Sequence, residues 1–131
     1  FIMMNIEVNG RNLRVKLYEN SSAEAVKELL KKGSLTIPMK DYAGMEKFGS
    51  FGRQLPANDE HITTEAGDVI LSEGNLLVIY YAPNTWKFTR LGKVQNLSEA
   101  ELRKALGKGS ITATLTLSDE SCPPQKEVLP L

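Results

Sequence analysis

The sequence predicts a mainly β domain, a closed barrel of about seven to eight strands with two short helices. Most apolar segments alternate with polar residues at every second position, which is the periodicity of a strand with one buried face. Two segments instead show helical spacing, and each begins with a capping pattern and ends at a glycine. The elements do not follow the strand–helix–strand rhythm of a doubly wound sheet, which favours a barrel.

The composition is that of one ordinary soluble domain. The chain has 131 residues, of which 41% are hydrophobic and 24% charged, enough for a core without disulfides or structural metal. Lys plus Arg and Asp plus Glu both number 16, so no net charge attracts nucleic acid or an anionic membrane. We therefore expect neither nucleic acid nor a membrane as a partner, and the oligomeric state stays open.

The sequence leaves the cellular compartment open. Cys122 is the only cysteine, which excludes an intramolecular disulfide and a CxxC site. The longest apolar run, Leu76 to Ala82, is far shorter than the ~20 residues that span a bilayer. The opening Phe1-Ile2-Met3-Met4 lacks the basic segment of a secretory signal. A cytoplasmic location and export after removal of a signal both remain open.

A hairpin and a helix are expected first. Alternating apolar residues flank Asn9-Gly10, a dipeptide that favours the two-residue turn of a β-hairpin. The helix that follows has Ser21 and Glu24 at capping-box spacing. Gly33 is expected to end it, because glycine adopts the left-handed conformation common after a last helical turn.

A third strand and a long loop follow. The strand covers Leu35 to Lys40, and Pro38 places it at an edge or a bulge. The stretch from Asp41 to Thr64 has isolated hydrophobes between glycines, and we expect a short strand at Met45 to Phe48 and then a structured loop. Long loops in compact domains often have a function, so this loop is a candidate for ligand contacts.

Three consecutive strands are expected in the middle of the chain. Val69 to Leu71 and Leu76 to Tyr81 flank a short turn, and the second segment contains no charged or amide residue. Such an uninterrupted run predicts a strand that is covered on both faces and therefore central. The third strand extends from Trp86 to Val94.

The last elements are a helix and a strand. Ser98 and Glu101 form a capping box, and Gly107 ends the helix. Alternating residues from Ile111 to Leu117 predict the final strand. The domain is therefore expected to cover residues 1–117, and residues 118–131, which have no periodicity, to form a C-terminal tail.

Three short motifs accompany this order of elements. They are DYAGMEK from Asp41 to Lys47, GDVIL from Gly67 to Leu71 and TRLG from Thr89 to Gly92. Together the order and the motifs resemble the bacterial cyclophilin-like domains, small β-barrel proteins of unassigned function, over roughly Met4 to Leu117. The resemblance implies a cyclophilin-like barrel. Prolyl isomerisation is implied by analogy of fold alone, because the F-H-R and Q-G-G-D motifs of true cyclophilins are absent.

Catalytic and cofactor motifs are missing. The glycines of the long loop lack GxGxxG spacing, and no GxxxxGK[ST] loop exists to hold phosphates. One histidine, His61, and one cysteine are too few for a zinc site. His61 follows Asp59 and Glu60, and we expect it to be a solvated loop residue. We therefore assign no catalytic residue, no metal and no cofactor.

The strand from Trp86 indicates where a ligand pocket should lie. A period of two places Trp86 and Arg90 on the more apolar face of this strand. We expect that face to point into the barrel, since the reverse orientation would bury Lys87 and Lys93. An inward guanidinium needs a carboxylate partner, and Glu46 is the first candidate.

The inward face of the strand from Trp86 and the long loop together predict a ligand pocket, for which several functions are open. Asp41 and Asp68 are alternative partners for the arginine, which could also tie a loop to the barrel rim without contacting a ligand. The expected function is a binding module for a small molecule or an extended peptide. A prolyl isomerase and a protein–protein interaction domain are the alternatives. The candidate pocket residues are Glu46, Phe51, Tyr81, Trp86 and Arg90.

Overall fold

The computed structural model describes residues 2–119. Its strands are β1 (Ile2–Val8), β2 (Arg11–Leu17), β3 (Leu35–Tyr42), β4 (Glu46–Ser50), β5 (Glu60–Thr63), β6 (Asp68–Ser72), β7 (Leu76–Tyr80), β8 (Thr85–Val94) and β9 (Ile111–Asp119). Its helices are α1 (Ser21–Lys31) and α2 (Glu99–Leu106). The last strand continues two residues beyond the expected boundary at Leu117, and the rest of the expected tail lies outside the described residues.

Eight of the strands close into an antiparallel barrel. Their order is β2-β1-β9-β3-β4-β7-β6-β8, and pairing between β2 and β8 completes the circle. The remaining strand, β5, pairs with the first half of β8. Every barrel strand thus has a paired neighbour on both sides. The prediction of a mainly β, closed barrel with two short helices is therefore confirmed.

The predicted turn and caps are formed with one correction. Asn9 and Gly10 have φ angles of 51° and 76°, as the two-residue hairpin turn requires. The N-cap of α1 is Asn20, whose side chain accepts a hydrogen bond from the Ala23 N–H at 2.8 Å. The expected cap at Ser21 is thus wrong by one residue, because asparagine caps equally well and also binds β8.

The second helix has the predicted cap. The Ser98 side chain accepts from the Glu101 N–H, and the Glu101 carboxylate accepts from the Ser98 N–H. Gly107 follows the helix with a φ of 65°. Among residues 2–119, neither helix is long and apolar enough to cross a membrane.

Pro38 lies within the barrel wall. It is opposite Thr112 of β9, whereas pairing of β3 with β4 begins only at Lys40. A Cβ atom at Gly49 of β4 would lie 2.4 Å from the Pro38 carbonyl oxygen, so this side of Pro38 faces β4. Pro38 was expected at an edge or a bulge, and it lies instead within the wall, next to the end of the β3–β4 ladder, where pairing with β4 requires no N–H from this residue.

Two apolar clusters stabilise the fold. The larger one includes residues from β1, β2, β3 and β6 to β9 together with the inner faces of both helices, and it fills the barrel. The smaller one lies on the opposite face of β6, β7 and β8, where β5 covers the outside of the wall; its members are Ile62, Ile70, Val78, Tyr80 and Phe88. The chain therefore buries apolar residues on both sides of this part of the barrel.

Arg90 was expected to point into the barrel, and this is wrong because the smaller cluster, here called the outer cluster, lies on the face of β8 that carries Arg90. Trp86 and Arg90 do share a face, but Phe88 between them packs in the outer cluster, whereas Leu91 packs in the barrel interior. The Trp86 and Arg90 side chains are exposed rather than inward. The ladder between β6 and β8 contains a bulge at this point. Val69 pairs with Gly92 and Ile70 pairs with Arg90, so one step along β6 corresponds to two steps along β8.

Candidate functional site

The five predicted pocket residues do not meet in one pocket. Phe51 and Tyr81 are buried in the main core, and Trp86 is 66% exposed. Glu46 lies on β4 and Arg90 on β8, with β7 and β6 between them, so roughly 14 Å of sheet separates the two positions. The expected Arg90–Glu46 pair is therefore wrong. The Arg90 guanidinium faces Glu60 of β5 instead.

Glu46 is held by a tyrosine. It lies opposite Tyr80 in the β4–β7 ladder, and the two side chains are hydrogen-bonded. Burial raises the pKa of the Glu46 carboxyl, the hydrogen bond to Tyr80 acts in the opposite direction, and the negative charge of Asp41 adds to the rise. The ionised form of Glu46 therefore costs folding free energy at neutral pH.

Replacing this carboxyl should stabilise the protein. We expect Glu46→Gln to raise the free energy of unfolding at pH 7 by about 0.5–1 kcal/mol, because the amide keeps the shape and an acceptor without the buried charge. Since the folded-state pKa is raised, the gain should disappear as the pH falls below the carboxyl's ordinary pKa. Urea denaturation at pH 4 and pH 7 measures it. Glu7→Gln, on an exposed position of β1, is the control, and an equal effect of both variants would contradict the prediction.

A second polar cluster, the Lys47 cluster, lies inside one end of the barrel. Lys47 is completely buried, and its Nζ donates to Asp41 Oδ1 at 3.1 Å and to the Gly109 carbonyl at 2.7 Å. The Tyr81 hydroxyl donates to the same Asp41 oxygen. Lys47 Nζ is 5.7 Å from the Tyr81 ring centroid, and the Arg103 guanidinium carbon is 5.4 Å from it. The cluster ties β3 and β4 to the segment after α2.

The Lys47 cluster is built for stability. The hydrogen bond from Tyr81 lowers the pKa of Asp41 most, burial opposes it, and Lys47 adds to the lowering. Burial and the bond to Asp41 raise the pKa of Tyr81 to about 12. A lysine and a tyrosine are general acid and base candidates only where a substrate reaches them. Lys47 has no exposed surface, so it is not a candidate catalytic residue.

An open groove, which we call the β2–β5 notch, interrupts the barrel wall. Strands β2 and β5 lie on the same side of β8, β2 along Gly92 to Val94 and β5 along Thr85 to Phe88. Between them the Tyr18 N–H donates to the Leu91 carbonyl at 2.9 Å, and the Asn58 N–H donates to Thr89 Oγ1 at 2.8 Å. The notch lies in the gap between the end of β2 and the start of β5 along this side of β8.

The notch has the size of a small-molecule site. Its volume is about 530 Å³, within the range of ligand pockets. It combines one guanidinium, three carboxylates, two amides and one phenol; the lining residues are Tyr18, Glu19, Asn20, Asn58, Asp59, Glu60 and Arg90. Of these the sequence indicated only Arg90, although the loop before β5 was expected to be functional. The helix cap and the end of β2 carried no signal for a site.

Part of the notch wall is held rigidly. The Asn20 amide donates to the Arg90 carbonyl at 2.8 Å, and the Asn58 amide donates to Ser21 Oγ at 2.7 Å. Asp59 Oδ1 accepts from Thr89 Oγ1 at 2.7 Å. These bonds fix the two sides of the notch to β8 and to the start of α1.

The charged rim of the notch is open to solvent. Arg90 Nε lies 4.0 Å from Glu60 Oε2, and the two side chains are 46% and 64% exposed. Within residues 2–119 no group of three His, Cys, Asp or Glu side chains is placed to hold a metal ion. The rim thus combines charged groups of both signs that are accessible to solvent.

Similarity to known proteins agrees with the architecture. A solved structure of the hypothetical protein AF2241 from Archaeoglobus fulgidus has a TM-score of 0.64 at 13% identity, over 88% of this chain and 93% of that one. A structure of McbB in complex with tryptophan has a TM-score of 0.62 at 17% identity, over 97% of this chain but 48% of McbB. The chain thus spans about half of McbB, and these likenesses concern fold alone.

No curated protein matches the chain. A family model described as the Cyclophilin-like family matches residues 6–117. This range contains all eight barrel strands in whole or in part, both helices and the whole notch lining. The chain belongs to the Cyclophilin-like family.

Proposed function

We propose that this protein is a binding module that takes a small polar molecule in the β2–β5 notch. The observation that carries the proposal is the loosely paired guanidinium of Arg90, which lies among hydrogen-bonding groups in a cavity of about 530 Å³. In small-molecule sites, convergent polar groups of this kind fix the orientation of the ligand and give specificity.

Two further observations support this function. The bonds of Asn20, Asn58 and Asp59 preorganise the notch, which lowers the entropy cost of binding. McbB, about half of which is similar to this chain in fold, has been solved in complex with tryptophan, a small polar molecule.

A binding screen tests the proposal. NMR spectra are recorded with a library of small polar molecules, and we expect ligands to shift the side-chain amide signals of Asn20 and Asn58. Arg90→Gln should weaken binding about tenfold, as loss of a charge-assisted hydrogen bond does. The matched control is Arg11→Gln, because Arg11 is 44% exposed and lies 4.0 Å from Glu101 outside the notch. Ligands that bind without shifting the notch signals would contradict the proposal.

We expect no meaningful prolyl isomerase activity. An isomerase needs an apolar floor for the prolyl ring beside its arginine, whereas carboxylates and amides surround Arg90. The cis-to-trans relaxation of an X-Pro peptide should proceed at the same rate with and without the protein. Acceleration comparable with an authentic cyclophilin, abolished by Arg90→Ala, would overturn this expectation.

A protein–protein interaction domain is the second candidate. Trp86 is 66% exposed and Tyr42 is 57% exposed, and large exposed aromatic side chains are enriched at interfaces. If this candidate is right, Trp86→Ser abolishes association with a partner while small molecules still shift the notch signals. The notch remains the preferred site, since it combines shape with specific polar groups.

A further inference from the structure

We infer that the ligand of the notch is an amino-acid zwitterion with an aromatic side chain. This inference rests on the proposed function and deepens it by naming the ligand class. It follows from the juxtaposition of one guanidinium, Arg90, with the carboxylate of Glu19 and the ring of Tyr18 in one cavity.

Arg90 supplies the site for the anionic end of the ligand. It is the only cation among the seven residues that line the notch. Its Nε is 4.0 Å from Glu60, beyond hydrogen-bonding distance, so that ion pair leaves room for a ligand carboxylate. A guanidinium binds a carboxylate through two parallel hydrogen bonds. The bond from Asn20 to the Arg90 carbonyl holds the base of this side chain in place.

The carboxylates supply the site for the cationic end. Asp59 already accepts from Thr89, and Glu60 faces Arg90. Glu19 is exposed and belongs to the same lining, so its carboxylate can reach an ammonium group in the notch. An anion that lacked an ammonium would enter a notch with three carboxylates against one guanidinium. A ligand with both charges balances this lining.

The ring of Tyr18 and the volume indicate the side chain. Tyr18 is 38% exposed, and its backbone N–H is bound to Leu91. A cavity of about 530 Å³ is larger than the charged groups of an amino acid require, which leaves space for a ring beside the phenol. Aromatic pairs add stability beyond their buried area. The inference is therefore specific to aromatic amino acids.

Three indoles separate the contributions of the two charges. L-tryptophan has both charges, tryptamine lacks the carboxylate, and indole-3-propionate lacks the ammonium. We expect titration calorimetry to give L-tryptophan an affinity about tenfold higher than that of either analogue, as one charge-assisted contact implies. Arg90→Gln should abolish the difference between L-tryptophan and tryptamine. Glu19→Gln should abolish the difference between L-tryptophan and indole-3-propionate.

The outcomes distinguish this inference from the proposed function. Arg11→Gln is expected to leave both differences intact. If tryptamine or indole-3-propionate binds the unaltered protein as tightly as L-tryptophan, the zwitterion inference is overturned while the notch remains a binding site. The inference also fails if no indole binds and other molecules shift the Asn20 and Asn58 signals. If no molecule shifts them, the proposed function fails as well.

Discussion

Lys47→Met is expected to lower the free energy of unfolding by about 2–4 kcal/mol, because it breaks a buried, hydrogen-bonded ion pair. Methionine has a similar length, so the loss would come from polar groups rather than from a cavity. The substitution leaves the Gly109 carbonyl without its donor and Asp41 with Tyr81 and a backbone N–H as its remaining partners. Because the Asp41 side chain is 25% exposed, water limits the loss.

A double-mutant cycle tests whether the loss comes from the pair. Urea denaturation of Lys47→Met, Asp41→Asn and the double variant should show a double effect smaller than the sum of the single effects by more than about 1 kcal/mol. Lys31→Met is the control, because Lys31 forms an exposed helical pair with Glu28 and should not affect stability measurably. Additive effects in the cycle would show that Lys47 and Asp41 do not stabilise one another.

Raising the pH from 8 to 11 is expected to lower the free energy of unfolding by about 3 kcal/mol through two tyrosines. Burial raises the pKa of Tyr80 to about 12, and burial with the bond to Asp41 raises that of Tyr81 to about 12. Their ordinary value is 10.0, so above pH 10 the unfolded chain loses both protons while the folded protein retains them. Deprotonation therefore favours unfolding, and the stability is fully present only below pH 10.

Phenylalanine variants isolate the tyrosine contribution from that of lysines. Tyr80→Phe and Tyr81→Phe should each remove about half of the decrease between pH 8 and pH 11, and the double variant should remove most of it. The comparison uses the change with pH, since each variant also loses a hydrogen bond at every pH. The explanation is refuted if the double variant loses as much stability as the unaltered protein over this range.

The local elements were largely predictable. The hairpin at Asn9-Gly10 and the capping box from Ser98 to Glu101 depend on contacts between residues a few positions apart, so the sequence encodes them directly. The alternation of apolar residues predicted the strands for the same reason. The expected cap at Ser21 failed because Asn20 also bonds to β8, a contact that no local pattern contains.

Strand β5 was not predictable from its own residues. It has a single buried residue, Ile62, in four, and its ladder to β8 is the reason that it is extended. The expected loop position of His61 is thus corrected, because the residue lies in β5 opposite Lys87, although its side chain is exposed. A strand this short has too few residues for a periodic signal.

By itself the sequence determined a closed β-barrel with two capped helices, and it determined that Trp86 and Arg90 share one face of β8. Only the tertiary structure decided that this face points outward, because β5 covers the outside of the wall with a second apolar cluster. The tertiary structure also decided which carboxylate pairs with Arg90 and where the notch lies. The two sides of the notch lie some forty residues apart in sequence, and their pairing with β8 brings them together. Such contacts depend on long-range strand pairing. The alternation within one strand specifies which residues share a face, but it does not specify whether that face packs against the core, packs against another strand or is exposed to solvent.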